Sequence, residues 1–312
     1  MGVVALMGVL GVLQTVSASA LEGVPPELLD VEVRAVEVDA EGVLWVGVRE
    51  GGLARVADGE VEWVSTGRVR GIADLTEISG VLWATGLGGV SRRDGDGWAD
   101  VELPFESRVV FGVRPGADDD QVWFGTNAGA ARLRGSEWTT VVGSDGLPHG
   151  VVHQVVVEGN DVVWFLCRTG VARMEGDVLQ VFRPDLNFRA GVIGPDGRPW
   201  FGTSGGLLRW TGSDFVSEIT GVTLYPALTA SDGALWAGSA SDGVLRYLDG
   251  RWTRPVPELE GLEVFDVTED RAGAIWIASS VGLRRLPPGT FTRDPVGRES
   301  DPHEAREFYL PF

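Results

Sequence analysis

Three arginines, one histidine and three aromatic residues stand at similar distances before seven regularly spaced tryptophans. Five of them lie 11 residues before their tryptophan, and the other two lie 12 and 13 residues before it. The set is Arg34, Arg70, Phe111, His153, Arg189, Tyr225 and Phe265. Guanidinium groups bind carboxylate, sulfate or phosphate with defined geometry, and aromatic faces stack on apolar or sugar faces. If the fold brings these positions together, they predict a binding site for an anionic small molecule or an acidic saccharide.

The alternative is a purely structural role, in which these side chains pack between structural repeats or pair with nearby acids such as Asp185 and Asp266. The residue after each of them is mostly small, with Gln154 and Asp266 as the exceptions. Small residues suit strands that crowd around an axis, while the preceding side chain can point into a channel mouth. We therefore keep both interpretations open at this point.

The other reactive residues form no recognised catalytic or metal-binding motif. Of the three histidines only His149 and His153 are close in sequence, and zinc needs three or four converging ligands. The aspartates of 94–100 and 118–120 lack the full calcium loop and suit solvated turns. Cys167 is the only cysteine, so no intramolecular disulfide can form, and we expect it to be buried and inert. We predict no metal, no cofactor and no assigned catalytic residue.

The charge of the chain excludes two classes of partner. Its formal net charge is −19, and all 26 basic residues are arginines. Nucleic-acid binding needs a basic surface that offsets phosphate charge, and anionic lipid surfaces attract basic segments. We therefore predict no nucleic-acid partner and no electrostatic attachment to membranes.

The seven tryptophans reveal the elements that must position these residues. They recur in short apolar phrases at intervals of 36 to 41 residues, at Trp45, Trp83, Trp123, Trp164, Trp200, Trp236 and Trp276. Each interval holds four strand-length runs separated by Gly, Asp and Pro, with no helical period. This pattern predicts an all-β fold, a seven-bladed β-propeller with four antiparallel strands per blade. We assign 21–32 to a lead-in, 33–294 to the propeller and 295–312 to a C-terminal tail.

A second large residue follows each tryptophan by 15 to 18 positions. These residues are Trp63, Trp98, Trp138, Leu179, Phe215, Trp252 and Phe291. Two large anchors per blade suit packing between neighbouring sheets, so we interpret these side chains as core. In such a fold the loops between blades share one face with the turns between second and third strands. A ligand is then expected on that face, at the channel mouth.

The repeat pattern V-x-x-V…D-x-x-G-x-L-W-x-G-T-x-x-G-L-x-R…G-x-W resembles the two-component-regulator propeller repeat. The best matches lie at 199–210, 234–247 and 122–133, and the 144–158 segment resembles that family's connector between blades. The resemblance implies an extracytoplasmic, ligand-binding sensor domain. Members of that family are often fused to a membrane span and a histidine kinase, and neither is seen here. We therefore expect a stand-alone, non-enzymatic and monomeric binding module, with a protein partner as another possible ligand. A propeller lyase or hydrolase acting on a glycan, with His153 in its site, is the alternative.

Residues 1–20 have an apolar stretch followed by Ala18-Ser19-Ala20, which is typical of a secretory signal peptide. No Lys or Arg precedes the apolar stretch, so a mis-called start codon and an uncleaved anchor remain open. A cleaved signal predicts a periplasmic or secreted protein without an integral membrane domain.

Overall fold

The computed structural model describes residues 22–290, together with the backbone of 292–293 and 299–300. The expected signal peptide, Phe291, His303 and most of the expected tail lie outside the described residues. The described chain is built almost wholly of antiparallel strands, with three short 3-10 turns at Pro26–Leu28, Gly143–Asp145 and Pro257–Leu259.

The strands form consecutive antiparallel sheets, one for each repeat, and the predicted seven-bladed propeller is confirmed. Blade 1 contains β1 (Val33–Val38), β2 (Leu44–Val48), β3 (Gly52–Ala57) and β4 (Glu60–Val64). Blade 2 contains β5 (Arg70–Ile78), β6 (Val81–Leu87), β7 (Gly89–Asp94) and β8 (Gly97–Val101). Blade 3 contains β9 (Val110–Pro115), β10 (Gln121–Thr126), β11 (Gly129–Arg134) and β12 (Glu137–Val141). Blade 4 contains β13 (Val152–Glu158), β14 (Val162–Cys167), β15 (Val171–Glu175) and β16 (Val178–Phe182).

Blade 5 contains β17 (Phe188–Ile193), β18 (Pro199–Thr203), β19 (Gly206–Trp210) and β20 (Phe215–Thr220). Blade 6 contains β21 (Leu224–Thr229), β22 (Leu235–Ser239), β23 (Val244–Leu248) and β24 (Arg251–Thr253). Blade 7 shows β25 (Val264–Glu269), β26 (Ile275–Ser279) and β27 (Gly282–Leu286), and its fourth strand, expected around Phe291, falls outside the described residues. The short strands β28 (Thr292–Arg293) and β29 (Glu299–Ser300) pair with each other.

Each repeat tryptophan lies on the second strand of its blade, opposite an arginine of the third strand. Trp200, for example, pairs with Arg209, whose guanidinium carbon lies 5.5 Å from the indole centroid. In blades 1, 4, 5 and 7 the indole N–H donates to a carboxylate just before the second strand, as from Trp45 to Asp39 at 2.8 Å. The buried indole in these blades is thus satisfied at its nitrogen, and an arginine covers its face. This explains why tryptophan and arginine recur together in the repeat.

The core lies between blades, and the same packing closes the circle of blades. β25 contacts β1, and Trp276 of blade 7 shares a hydrophobic cluster with Val33 and Val36 of blade 1. The lead-in packs on this seam, where Leu28 is fully buried and the Leu29 carbonyl accepts a 3.3 Å hydrogen bond from Arg284 Nη1. The first strand of each blade contacts the first strands of its neighbours, so these strands surround the central channel.

The described second anchors pack between blades, except in blade 1. Trp98 meets Trp45 edge to face at 5.8 Å, and Trp252 lies 6.3 Å from Trp200. Trp63, by contrast, is 48% exposed, so its interpretation as core was wrong. The β2–β3 connection is one residue longer than in most blades, and Val61, opposite Val56, takes the packing position instead.

Candidate functional site

Five of the seven candidate residues occupy β-bulges at the start of the innermost strands. The strand register skips one residue at Arg34, Phe111, His153, Arg189 and Phe265. A bulge leaves its extra residue unpaired and re-aims the side chain. Because innermost strands begin on the face that carries the connectors between blades, all five bulges lie at one mouth of the channel. We call this the connector face.

The structure brings six of the candidates together, and we call them the mouth cluster: Arg34, Phe111, His153, Arg189, Tyr225 and Phe265. The Arg34 guanidinium lies over the Phe265 ring at 4.1 Å, and the Phe111 and His153 rings meet edge to face at 5.1 Å. Tyr225 is close enough to Arg34 and Arg189 for their charges to act on its hydroxyl, although its strand has its bulge at Ala227. The cluster therefore spans blades 3 to 7 and blade 1.

Arg70 does not occupy the matching position. In blade 2 the bulge that corresponds to those of the other blades, judged by its position opposite the second strand, is Ala73. Arg70 instead pairs with Leu87 at the end of the second strand. β5 is longer than the other innermost strands and carries a second bulge at Gly71. Counting back from Trp83 therefore selected a residue three positions too early in the sequence. Blade 2 contributes no residue to the mouth cluster.

The blade 7 and blade 1 side of the mouth carries its own counter-charges. Glu32 pairs with Arg34 and also accepts a 2.8 Å hydrogen bond from Arg49. Burial opposes ionisation of Glu32, but the hydrogen bonds and charges of Arg49 and Arg34 outweigh it and lower its pKa. On the same side the Tyr225 hydroxyl donates to Glu263 at 3.4 Å. The cation of Arg34 is therefore already compensated, as expected if these side chains have a structural role. Its partner is Glu32, and not Asp185 or Asp266.

The blade 4 and blade 5 side of the mouth has cations without counter-charges. Arg168 and Arg189 have no carboxylate within salt-bridge distance among the described residues, and both act on His153. Burial first, and then the charges of Arg189 and Arg168, lower the pKa of His153 to about 4. Its imidazole is therefore neutral at pH 7. The Asn187 side chain lies close enough to hydrogen-bond the His153 ring. Apart from this mutual contact, neither His153 Nε2 nor Asn187 Oδ1, both buried, has a partner among the described residues.

One position further along the innermost strands, side chains join the blades instead of facing the mouth. Asp266 Oδ2 accepts from the Val36 amide of blade 1 at 3.0 Å, and Asp74 Oδ2 accepts from the Val113 amide of blade 3 at 3.2 Å. Gln154 Oε1 accepts in the same way from Gly191 of blade 5 at 2.7 Å. These amides belong to strands with a free inner edge, so the side chains satisfy donors that no strand covers.

Glu37 and Arg114 lie with these side chains, and we call the whole set the mid-channel layer: Glu37, Asp74, Arg114, Gln154 and Asp266. Arg114 Nη1 lies 2.6 Å from Asp74 Oδ2, and Glu37 accepts from the Glu77 amide at 3.0 Å. Burial first, and then the charge of Asp74, raise the pKa of Asp266 to about 8. Burial raises the pKa of Glu37 to about 7. No group of three His, Cys, Asp or Glu side chains among the described residues has the arrangement of a metal site.

His149 lies near enough to His153 to contribute to the lowered pKa of that imidazole. Cys167 is buried, and burial raises the pKa of its thiol to about 12, which fits the predicted inert cysteine. In the described residues, none of the helical segments has the length and apolar character needed to cross a lipid bilayer.

No protein-family model and no curated protein matches the sequence. Solved structures do match it. The extracellular domain of a protein described as a hybrid two component system from B. thetaiotaomicron superposes with a TM-score of 0.72 at 16% identity, over 85% of this chain and 41% of that one. The match spans less than half of that domain's length, and this chain shares the fold of the matched part.

A second such domain from the same organism gives a TM-score of 0.67 at 15% identity, over 82% of this chain and 38% of that one. A catalytically inactive virginiamycin B lyase from Staphylococcus aureus, solved with quinupristin, gives 0.65 at 14% identity, over 82% of this chain and 94% of that one. The predicted resemblance to sensor propellers is thus confirmed in the fold, which is also the fold of a lyase. At these identities the likeness concerns the fold alone.

Proposed function

We propose that this propeller is an exported, non-enzymatic binding module of the sensor type. Its ligand is an anionic small molecule or an acidic saccharide, held at the connector-face mouth of the channel. The observation that carries the proposal is that two arginines without counter-charges, Arg168 and Arg189, act on the buried pair formed by His153 and Asn187. In a protein of net charge −19, such a local excess of cations suits an anion.

The geometry suggests how each group contributes to capture. The guanidinium groups of Arg168 and Arg189 bind a carboxylate, sulfate or phosphate oxygen. The neutral imidazole of His153 and the Asn187 amide hydrogen-bond to ligand hydroxyl or amide groups. The exposed parts of the Phe111 and Tyr225 rings offer faces for an apolar or sugar surface. A ligand with both an anionic group and hydroxyl groups uses all of these contacts.

The proposed location outside the cytoplasm draws on two observations. Residues 1–20 have the features of a secretory signal, and two of the structures that share this fold are extracellular domains of two component systems. A sensor of this kind passes its signal through a partner, and a protein partner on the connector face is compatible with the same role.

A thermal-shift screen tests the proposal. Glucuronate, a sulfated galactose, inorganic sulfate and phosphate are added to the wild type, to an Arg168→Ala/Arg189→Ala double variant and to Arg271→Ala. Arg271 is an exposed arginine in the turn between β25 and β26, on the opposite face, and serves as the matched control. A ligand that binds the folded state raises Tm.

We expect at least one acidic sugar to raise Tm of the wild type and of Arg271→Ala, and to have no effect on the double variant. The proposal fails if no anion stabilises the wild type more than the double variant.

A lyase acting on a glycan is the second candidate, because the fold is shared with a lyase and His153 is neutral and able to accept a proton at pH 7. Catalysis predicts cleavage of a glycan that depends on His153. If no glycan is cleaved, or if His153→Ala cleaves as fast as the wild type, this candidate is excluded.

A further inference from the structure

Blade 2 differs from the other blades at the connector face, where an exposed leucine stands between two arginines. Leu87 is 57% exposed, pairs with Arg70 across β5 and β6, and forms an isolated bridge with Val109. The next residue, Gly88, donates its amide to the Arg108 carbonyl at 3.0 Å. The backbones of Arg70 and Arg108 therefore lie on two sides of Leu87, and we call these three residues the rim patch.

Close packing of the backbone fixes the position of Leu87. A side chain at Gly88, whose φ is +91°, would bring a Cβ within 2.3 Å of the Arg68 carbonyl oxygen. A Cβ at Gly86 would lie 2.6 Å from the Gly71 carbonyl oxygen. Only glycine allows these approaches. The leucine is thus held on a rigid turn in contact with solvent, which lowers the entropic cost of binding to it.

The two arginines of the rim patch are exposed and uncompensated. Neither Arg70 nor Arg108 has a carboxylate within salt-bridge distance in the part of the chain that the structure describes. Arg68, close by in sequence, behaves differently, with Asp100 at 3.1 Å and Glu102 at 2.6 Å.

We propose that the rim patch docks an acidic peptide segment of a partner protein. An apolar side chain of the peptide packs on Leu87, while carboxylates on either side pair with Arg70 and Arg108. A small inorganic anion makes no use of the leucine, and nucleic acid and anionic lipid need a more extended basic surface than two arginines provide. This surface is separate from the mouth cluster, so the inference does not depend on the proposed small ligand.

Panning of a displayed random peptide library against the full chain tests the inference. Enriched peptides are synthesised, and their affinities are measured by fluorescence anisotropy for the wild type, Arg70→Glu/Arg108→Glu and Leu87→Ser. Two control variants are included, Arg271→Glu on the opposite face and Arg189→Ala in the mouth cluster.

We expect enrichment of peptides in which Asp or Glu flanks an apolar residue. Charge reversal in Arg70→Glu/Arg108→Glu should weaken their binding at least about tenfold. Leu87→Ser should weaken it about threefold, because only part of one apolar side chain is lost. Arg271→Glu and Arg189→Ala should bind as the wild type does.

The inference is overturned if no acidic, apolar peptides are enriched, or if those enriched bind the double variant as tightly as the wild type. Binding that is lost in Arg189→Ala and retained in Arg70→Glu/Arg108→Glu also overturns it, because the peptide then occupies the mouth. None of these results bears on anion capture at the mouth, which the thermal-shift screen reads separately.

Discussion

The mouth cluster and the mid-channel layer lie on the same innermost strands, only one to a few residues apart, yet they differ in every physical respect. The mouth cluster is rich in arginine and aromatic residues, and its blade 4 and blade 5 side has arginines without counter-charges beside His153 and Asn187. The mid-channel layer is rich in carboxylates, and Asp74 and Asp266 accept hydrogen bonds from the next blade. The comparison shows that polar side chains of the mid-channel layer hold the blades together. In the mouth cluster, the β-bulges leave side chains available for recognition.

The largest expected effect is a dependence of stability on pH that originates in the mid-channel layer. The folded-state pKa of Asp266 is about 8 and that of Glu37 is about 7, both above the ordinary value near 4. The folded protein therefore binds more protons than the unfolded chain between about pH 4 and 8, and stability falls as pH rises through this window. One pKa unit corresponds to about 1.4 kcal/mol, so the two shifts together predict a loss of several kcal/mol across this window.

Urea unfolding between pH 5 and 9 measures this slope. Asp266→Asn keeps a polar side chain that cannot ionise, so its stability should fall less steeply than that of the wild type. A free energy of unfolding that stays constant or rises over this range would show that the layer is ionised without cost.

Asp74→Ala should have the next largest effect. It removes the partner of Arg114 and of the Val113 amide. Breaking a fully buried pair costs about 3–5 kcal/mol. The Arg114 side chain is 30% exposed in the channel, so we expect a loss of about 2 kcal/mol. Chemical denaturation measures it, and Asp185→Ala, which removes an exposed partner of Arg183, should leave the free energy of unfolding nearly unchanged.

Anion-dependent stabilisation should survive in Asp74→Ala, measured as the Tm shift with the best acidic sugar. A loss of ligand binding that matches the loss in Arg189→Ala would mean that the two layers do not have separate roles.

Arg189→Ala should weaken binding of the acidic sugar about tenfold, because an uncompensated charge-assisted hydrogen bond is lost. Arg34→Ala should weaken it less than about threefold, since Glu32 already neutralises that cation. Calorimetric titration of both variants makes the comparison. Equal losses would show that the two sides of the mouth contribute alike.

The smallest effect is expected for Glu32→Gln, which frees Arg34 from its counter-charge. Affinity for the acidic sugar should rise about twofold, because an exposed ion pair is worth less than about 1 kcal/mol. The same titration measures it. A fall in affinity would place Glu32, and not Arg34, in contact with the ligand.

The tryptophan period predicted the fold because each tryptophan has the same task, as the blade core beside its arginine. Counting back from each tryptophan located five bulge residues, since the spacing between bulge and tryptophan is constant in most blades. It failed at Arg70, where β5 has an additional bulge, and at Trp63, where the β2–β3 connection is longer. Local insertions do not change the average spacing of the tryptophans, so that spacing does not reveal them.

Other parts of the two layers were missed because their partners come from different blades. Asn187 and Arg168 reach His153 only in the folded structure, and the role of Asp74 depends on Arg114 of the next blade. One signal was present, because Gln154 and Asp266 break the run of small residues after the bulges. Polar residues at positions that otherwise hold small ones are candidates for bonds between blades.

The central claim, that the blade 4 and blade 5 side of the mouth binds the ligand, is tested most directly by NMR of the histidine rings. The chain has only three histidines, so the imidazole signals are few, and His153→Gln assigns the relevant one. Saturating acidic sugar should shift the His153 ring signals and raise its pKa from about 4, because the ligand brings an anion and a hydrogen-bond partner. A ligand that raises Tm while the His153 signals and pKa remain unchanged would contradict the account.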